Sequence, residues 1–347
     1  SAAWRELGRR VILDETRRQI YEDGAYVQHS VVYHRVMLHD CLWALRLGEL
    51  NQSRLADELY TLVGKAGDFL YQLVDPTSGN TPNYGANDGS LVLPLTDCDY
   101  SDFRPVIQTA SLLCHGRRSF PAGAWDEEAR WLLGTTALDK PQSNMAQSSY
   151  EATTSGYYTL RSPVSWVFTR CAEYQDRPSH ADQLHVDLWW RGMNVACDAG
   201  TYLYNGAPPW DNRLSATEVH NTVNVDGHDQ MTRAGRFLWL DWSHGHMQRH
   251  IHSNHLEYWA GEQDGYARFG IRHQRGILRI GDESWLIVDS LTGSEGAVHR
   301  YRLHWLLQDF PYHHETQNLR LATPQGDYNL QCGSDAEGEI SLVRGSE

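Results

Sequence analysis

The segment from Asp23 to Arg35 concentrates titratable side chains at the expected start of a helix. Residues four apart on a helix share a face, so Tyr33 and His29 would lie side by side if the helix covers both, with His34 next to them. A phenol beside an imidazole can move protons. The alternative interpretation is that Tyr33 belongs to an amphipathic core face and that both histidines are solvated.

A second group of residues has the chemistry of a metal site. His180, Asp198 and His220 are separated by 18 (198 − 180) and 22 (220 − 198) residues. Imidazole and carboxylate groups are suitable ligands for first-row metals, zinc especially, and ligands distant in sequence are normal for a site assembled across a sheet. Because the chain has 18 histidines, a chance combination is the competing interpretation.

The charge of the chain restricts its partners. With 30 Lys and Arg against 44 Asp and Glu, the formal net charge is −14, which opposes nucleic-acid binding because phosphate contacts need a basic surface. An acidic polysaccharide would also be repelled at long range, so binding one requires positive potential confined to a cleft. No window approaches the roughly 18 uninterrupted apolar residues of a membrane span.

Helical periodicity predicts that the first part of the chain consists of helix pairs. Asn51 or Ser53 is the expected N-cap of the third helix, and Asp75-Pro76 is its stop signal. Between Thr77 and Tyr100, Gly, Asn, Asp and Pro predict a long ordered loop, which is often functional in a compact domain. The predicted helices are Trp4–Tyr21, Ser30–Leu47, Asn51–Val74, Ser101–Leu113 and Asp126–Leu133.

From about residue 150 the apolar pattern changes to a period of two, which predicts strands joined by Gly, Asp and Asn turns. The polar stretch near residues 137–150 marks the boundary. The expected architecture is therefore multidomain α + β, with helix hairpins over residues 1–140 and an antiparallel β-sandwich over residues 150–347.

Four motifs follow one another between residues 4 and 250 and include both groups of candidate residues. They are Asp23-Gly24 with Ser30-x-x-Tyr33-His34-Arg35; Gly85-x-Asn87-Asp88-Gly89; His180-Ala181-Asp182 with Asp198-x-Gly200-Thr201-Tyr202; and His220-Asn221-Thr222-Val223-x-Val225-Asp226-Gly227. In this order they resemble the heparinase II/III-like family of polysaccharide lyases.

The resemblance implies an α/α toroid, of which residues 1–140 would be the C-terminal part, followed by a β-sheet domain that is apparently cut at its C-terminus. It implies β-elimination on a uronic-acid-containing polysaccharide such as a glycosaminoglycan, alginate or a bacterial exopolysaccharide. It also implies a periplasmic or secreted bacterial location, although the chain shows no signal peptide. The polymer and the oligomeric state stay open.

The resemblance also assigns roles to individual residues. Tyr33 matches the tyrosine that serves as Brønsted base or acid, with His34 beside it. His29 departs from the family, in which an acidic-amide pair is common at Gln28-His29, and would add charge. By position, the acid is either Tyr33 itself or a tyrosine of the β-domain, with Tyr204 or Tyr202 the nearest candidates after Asp198. His180, Asp198 and His220 match a metal triad that holds structural Zn²⁺, and no organic cofactor is implied. The candidates for substrate contact are Asn87, Asp88 and Arg213, together with Trp190 as an aromatic stacking surface.

Two departures from the family keep alternatives open. The residue that neutralises the uronate carboxylate is expected upstream of Ser1, and Pro178 stands where a histidine is common. A non-catalytic carbohydrate-binding homologue is therefore one alternative. A glycoside hydrolase is the other, and it would need two carboxylates flanking the bond, for which only the loop cluster Asp88, Asp99 and Asp102 is available.

Overall fold

The computed structural model describes residues 2–253, 255–293 and 296–345, and its chain forms two compact units, residues 1–306 and 307–347. The first unit begins with five helices and continues with β-strands. The helices are α1 Ala2–Gln19, α2 Val31–Leu50, α3 Asp57–Leu73, α4 Arg104–His115 and α5 Asp126–Leu133. Among the described residues no helix is both long and apolar enough to span a membrane.

Two antiparallel sheets form the main β-structure of the first unit. The first sheet has the order β1-β2-β3-β4-β5, and the second has the order β12-β11-β10-β9. The strands of the first are β1 Tyr150–Ala152, β2 Tyr157–Arg161, β3 Ser165–Arg170, β4 Val186–Trp190 and β5 Met193–Ala196. Those of the second are β9 Gly245–His252, β10 Leu256–Gln263, β11 Arg272–Ile280 and β12 Ser284–Thr292.

Smaller antiparallel sheets complete both units. In the first unit β6 Val223–Val225 pairs with β13 Tyr301–Leu303, and β7 Thr232–Gly235 pairs with β8 Leu238–Leu240. The second unit is a three-stranded sheet of β14 Tyr312–Glu315, β15 Asn318–Thr323 and β16 Gly326–Gln331.

The first sheet is buried on both faces. Tyr157 and Phe168 from β2 and β3 belong to the same hydrophobic core as the helices. On the opposite face Tyr158 lies 5.3 Å from Trp259 of the second sheet, centroid to centroid. Every residue of β3 and β4 is buried, so these strands show no alternation of exposure. The helices and the second sheet therefore pack against a shared central layer.

The predicted helices are present, but the third begins six residues later than the first of its two proposed caps. Asn51 instead ends α2, because its backbone N–H and side-chain amide both donate to the carbonyl of Leu47. α3 begins at Asp57, and Ala56 at its N-cap makes no side-chain capping bond. The strands predicted from the period-two pattern are confirmed as antiparallel. β4 and β6 are shorter than the ranges that the pattern predicts, Leu184–Trp190 and Thr222–Asp226.

Candidate functional site

Tyr33 is placed by the first turn of α2. Ser30 is the N-cap, and its hydroxyl accepts a hydrogen bond from the backbone N–H of Tyr33 at 3.1 Å. The same hydroxyl donates to the carbonyl of Ala86 at 2.5 Å. A capping serine thus connects the helix that carries Tyr33 with the long loop that faces it.

The long loop approaches α2 at Gly85. This glycine has φ +77°, and an added Cβ would lie 2.0 Å from the carbonyl oxygen of His29. Beyond it, the Ala86 N–H donates to the Ser179 hydroxyl and the Asn87 N–H donates to the Thr201 hydroxyl. The loop is therefore held between the helical and the β-stranded parts, and it carries Asn87 to the site.

The phenol of Tyr33 meets an acid and a second phenol. Its hydroxyl donates to Asp88 Oδ2 at 3.0 Å and lies 3.3 Å from the hydroxyl of Tyr204. Tyr33 is half-buried, whereas its hydroxyl bond to Asp88 is exposed. Tyr100 donates to Asn87 Oδ1 at 3.0 Å beside this pair. Four of the predicted site residues, Tyr33, Asn87, Asp88 and Tyr204, are thus brought together.

The electrostatic surroundings keep Tyr33 protonated. Partial burial and the Asp88 carboxylate raise the pKa of Tyr33 above its usual value, although a hydrogen bond with Tyr204 opposes the increase. Partial burial by itself would raise the pKa of Asp88, but hydrogen bonds from Ser90 and Tyr33 bring it below its usual value. Among the described residues no cationic side chain is hydrogen-bonded to the Tyr33 phenol.

His29 does not share a helix face with Tyr33, because α2 begins only at Val31, and His34 points to another side of α2, because adjacent helical residues do not share a face. His29 has φ +51° and is buried, with Nδ1 3.1 Å from the Tyr157 hydroxyl. The ring of His34 stacks on Phe69 and its Nε2 donates to the Ala66 carbonyl. Burial lowers the pKa of each histidine to about 3. The expected positive charge from these two residues is therefore missing.

The other two predicted substrate contacts lie in different surroundings. Trp190 is 4% exposed within β4, so its indole faces the protein interior and offers no stacking surface to a sugar. Arg213 is partly exposed, and its guanidinium donates to Glu218 Oε1 at 2.9 and 2.5 Å. Its charge is thus largely compensated. An exposed aromatic pair, Tyr202 and Trp210, lies instead on the loop that carries Tyr204, with ring centroids 5.8 Å apart.

The predicted metal ligands form one buried cluster. His180 Nδ1 lies 3.1 Å from His220 Nε2, which lies 3.6 Å from Asp198 Oδ2. Ligand atoms of these residues and Asp182 all lie within 4.8 Å of one another. Zn–N bonds of about 2.0–2.1 Å in a tetrahedral site imply about 3.3 Å between neighbouring ligand atoms. The cluster therefore has the spacing of a zinc site.

The hydrogen bonds around the cluster also fit a cation. His220 Nδ1 donates to the Ala216 carbonyl at 2.7 Å, so in the neutral ring Nε2 holds a lone pair facing the cluster. Asp198 Oδ2 is buried and has no hydrogen bond within the described part of the chain. A bound cation would satisfy this oxygen. His180, Asp198 and His220 would hold the ion, and it would brace the strands around it.

Two neighbours of the cluster were not predicted. Both carboxylate oxygens of Asp182 accept hydrogen bonds from the guanidinium of buried Arg170, at 2.7 and 2.5 Å. This carboxylate is therefore already paired with a cation. His185 accepts from the Asn221 N–H at Nδ1, which leaves Nε2 as a donor 3.6 Å from Asp198. The sequence offers His180-Ala181-Asp182 as a signal for the first. His185 is recognisable only once the strands are assembled.

Two models of one known protein family match this chain. A family model described as heparinase II/III-like, C-terminal, matches residues 145–345, and one described as heparinase II/III N-terminus matches residues 1–91. The chain belongs to the heparinase II/III-like family. The resemblance drawn from the four motifs is therefore confirmed.

Two heparin-sulfate lyases are similar in sequence to this heparinase II/III-like chain. The one from Pedobacter heparinus is 24% identical over 369 residues, which covers 100% of this chain and 50% of the relative. The one from Bacteroides thetaiotaomicron is 23% identical over 320 residues, which covers 85% of this chain and 42% of the relative. The chain thus spans about half the length of the curated relatives it matches, or less.

Solved structures of the same family share the fold. A heparinase III has a TM-score of 0.73 at 18% identity, covering 96% of this chain and 48% of that structure. A heparan sulfate lyase from Pedobacter heparinus has a TM-score of 0.69 at 20% identity, covering 97% and 49%. The predicted combination of helices and antiparallel sheets is therefore confirmed.

Proposed function

We propose that this chain carries the catalytic part of a polysaccharide lyase that cleaves a uronic-acid-containing glycosaminoglycan by β-elimination. The observation that carries the proposal is the pair of hydroxyls of Tyr33 and Tyr204, 3.3 Å apart, with Asp88 beside them. Membership of the heparinase II/III-like family and two relatives named heparin-sulfate lyase support the reaction class. The same relatives favour a heparan-type polymer over alginate.

The elimination needs one proton acceptor and one proton donor. The C5–H bond of the uronate and the C4–O bond to the next sugar break, a C4=C5 double bond forms, and the departing oxygen takes up a proton. Two hydroxyls 3.3 Å apart are close enough for one to accept the C5 proton and for one to protonate the departing oxygen. We assign removal of the C5 proton to Tyr33, and protonation of the leaving oxygen to Tyr204 or to Tyr33 itself.

The raised pKa of Tyr33 sets a condition on this mechanism. In the resting site the phenol is protonated, which suits a proton donor. To accept the C5 proton, Tyr33 must first lose its own, and Asp88 Oδ2 already accepts its hydrogen bond at 3.0 Å. A positive charge brought near the phenol, or loss of the Asp88 charge, would favour the phenolate. The pH dependence of the reaction therefore tests the role of Tyr33.

The buried cluster is assigned a structural role. Zinc held by His180, Asp198 and His220 would fix the segments around the β4–β5 hairpin and the approach to β6, and no proton transfer is assigned to it. A periplasmic or secreted location in a bacterium, where the polymer is accessible, belongs to the same proposal.

The test is an assay of purified protein against heparan sulfate, chondroitin, hyaluronan, alginate and bacterial exopolysaccharides. A lyase produces unsaturated ends that absorb in the ultraviolet. A hydrolase would produce reducing ends without that absorbance, and a binding protein would produce neither, so either result would contradict the proposal. Hydrolysis has little support here because Asp102, one of the three loop carboxylates, is 9% exposed and bound by Arg104 at 2.7 Å.

A further inference from the structure

A second group of metal-ligating side chains lies outside the site described above. It consists of Glu151 on β1 with His250 and His252 on β9, and one ligand atom from each lies within 4.8 Å of the others. Alternate residues of a strand point to the same side, and the two imidazole centroids are 4.0 Å apart. Both strands are the edges of their sheets. The group therefore joins the edge of the first sheet to that of the second.

A buried carboxylate orients both imidazoles. Glu257 Oε1 accepts a hydrogen bond from His250 Nε2 at 3.0 Å and lies 3.0 Å from His252 Nδ1, and Arg279 Nε donates to the other oxygen at 3.3 Å. Glu257 is 1% exposed, so its position is fixed by packing. A neutral imidazole that donates from one nitrogen carries a lone pair on the other. A carboxylate behind a histidine is the usual arrangement that orients a metal ligand.

The second ring nitrogen of His250 is hydrogen-bonded to a carboxylate. His250 Nδ1 donates to Glu151 Oε1 at 2.6 Å, a short charge-assisted hydrogen bond. Two ligands of a tetrahedral zinc ion are about 3.3 Å apart, so a bound ion would replace this proton and displace the carboxylate slightly. Glu151 is 36% exposed and can make that movement.

We propose that Glu151, His250 and His252 bind a divalent transition-metal ion, with Zn²⁺ as the best match to two imidazoles and one carboxylate. The His252 side chain is 53% exposed, so water can complete the coordination and the ion can exchange with solvent. Glu257 is a positioning residue, because it acts through both histidines. The site is separate from the buried cluster, whose three members and their neighbour Asp182 are all buried. Its ion would connect β1 to β9.

The experiment measures zinc binding to the whole protein after treatment with a chelator and equilibrium dialysis against Zn²⁺. We expect two ions per chain in the unmodified protein, and one in His252→Ala, with affinity at the lost site reduced roughly tenfold or more. His220→Ala should keep the ion at Glu151, His250 and His252. His246→Ala is the matched control, because His246 is exposed on the same strand but lies outside the group, and it should bind two.

His252→Ala is the preferred variant because its side chain is exposed and its loss should leave the fold intact, as circular dichroism can verify. Glu151→Gln, which keeps the size of the side chain, provides a second measurement and should also weaken the exchangeable site. The proposal is overturned if the unmodified protein saturates at one ion that His220→Ala removes. It is equally overturned if His252→Ala and Glu151→Gln both bind zinc as the unmodified protein does. Either result would mean that the group is only a chain of hydrogen bonds.

Discussion

The Tyr33 hydroxyl is the single atom on which the proposed chemistry depends, and its position permits a clean test. We expect Tyr33→Phe to abolish unsaturated product while leaving the melting temperature nearly unchanged, because one partly exposed hydrogen bond contributes only about 1 kcal/mol. Ultraviolet absorbance and thermal denaturation measure the two effects. Tyr60→Phe, which removes a hydroxyl bonded to Glu49 away from the site, is the control and should remain active. Full activity of Tyr33→Phe would eliminate Tyr33 as base or acid.

Asp88 influences the ionisation of Tyr33, although partial burial is the larger cause of the raised pKa of that phenol. Its carboxylate helps to raise the pKa of that phenol, so Asp88→Asn should lower it. If the reaction requires the phenolate, activity rises with pH through the pKa of Tyr33, and the acidic limb of kcat/KM should move to lower pH in Asp88→Asn. Asp99→Asn, an exposed change in the same loop, should leave the profile where it is. If the acidic limb of kcat/KM lies at the same pH in Asp88→Asn as in the unmodified protein, Tyr33 reacts in its protonated form.

Motifs predicted some residues of the site, whereas packing decided the others. Tyr33 and the three candidate metal ligands were recognisable because they lie in four motifs that follow one another in the order of the resembling family. His34 was misplaced because most residues in the first half of α2 are buried, so helical spacing there does not reveal which face meets the core. Tyr100 was missed because its partner Asn87 is brought to it by the loop conformation.

At the scale of elements, the long loop depends on glycine at its closest approach to α2. We expect Gly85→Ala to lower the melting temperature and the activity together, because a Cβ would lie 2.0 Å from the His29 carbonyl and the left-handed backbone adds about 1–2 kcal/mol. Gly89→Ala is a matched control with φ +78° and open space around its Cβ. It should carry only the backbone cost, so equal losses in the two variants would contradict a packing role for Gly85.

Element types were predictable here, and element ends were less so. Apolar periodicity identified the five helices, but the start of α3 depended on whether Asn51 would cap a new helix or close the previous one. Asn51 could satisfy backbone groups in either role, and in the fold it closes α2. Strands β3 and β4 are buried throughout, so their length had to be inferred without a polar face to mark it.

For the whole molecule, the buried cluster should contribute to stability through its ion. A ligand bound only by the folded state adds about 4 kcal/mol at 1,000 times its dissociation constant. We therefore expect His220→Ala to lose the chelator-resistant zinc and to melt at a lower temperature than the unmodified protein in zinc-containing buffer. Elemental analysis and calorimetry measure both, with His246→Ala as control. A chelator-resistant ion retained in His220→Ala would remove this assignment.

The central layer formed by β1 to β5 has a consequence for how such proteins can diversify. Tyr157 and Phe168 contact the helical side while Tyr158 contacts Trp259, so one short hairpin serves two hydrophobic interfaces. A helical portion taken from a relative would meet side chains that pack against a different neighbour. Under the proposed function, we therefore expect changes in the loops around Asp88 and Trp210 to alter substrate preference with less loss of stability than an exchange of the two parts.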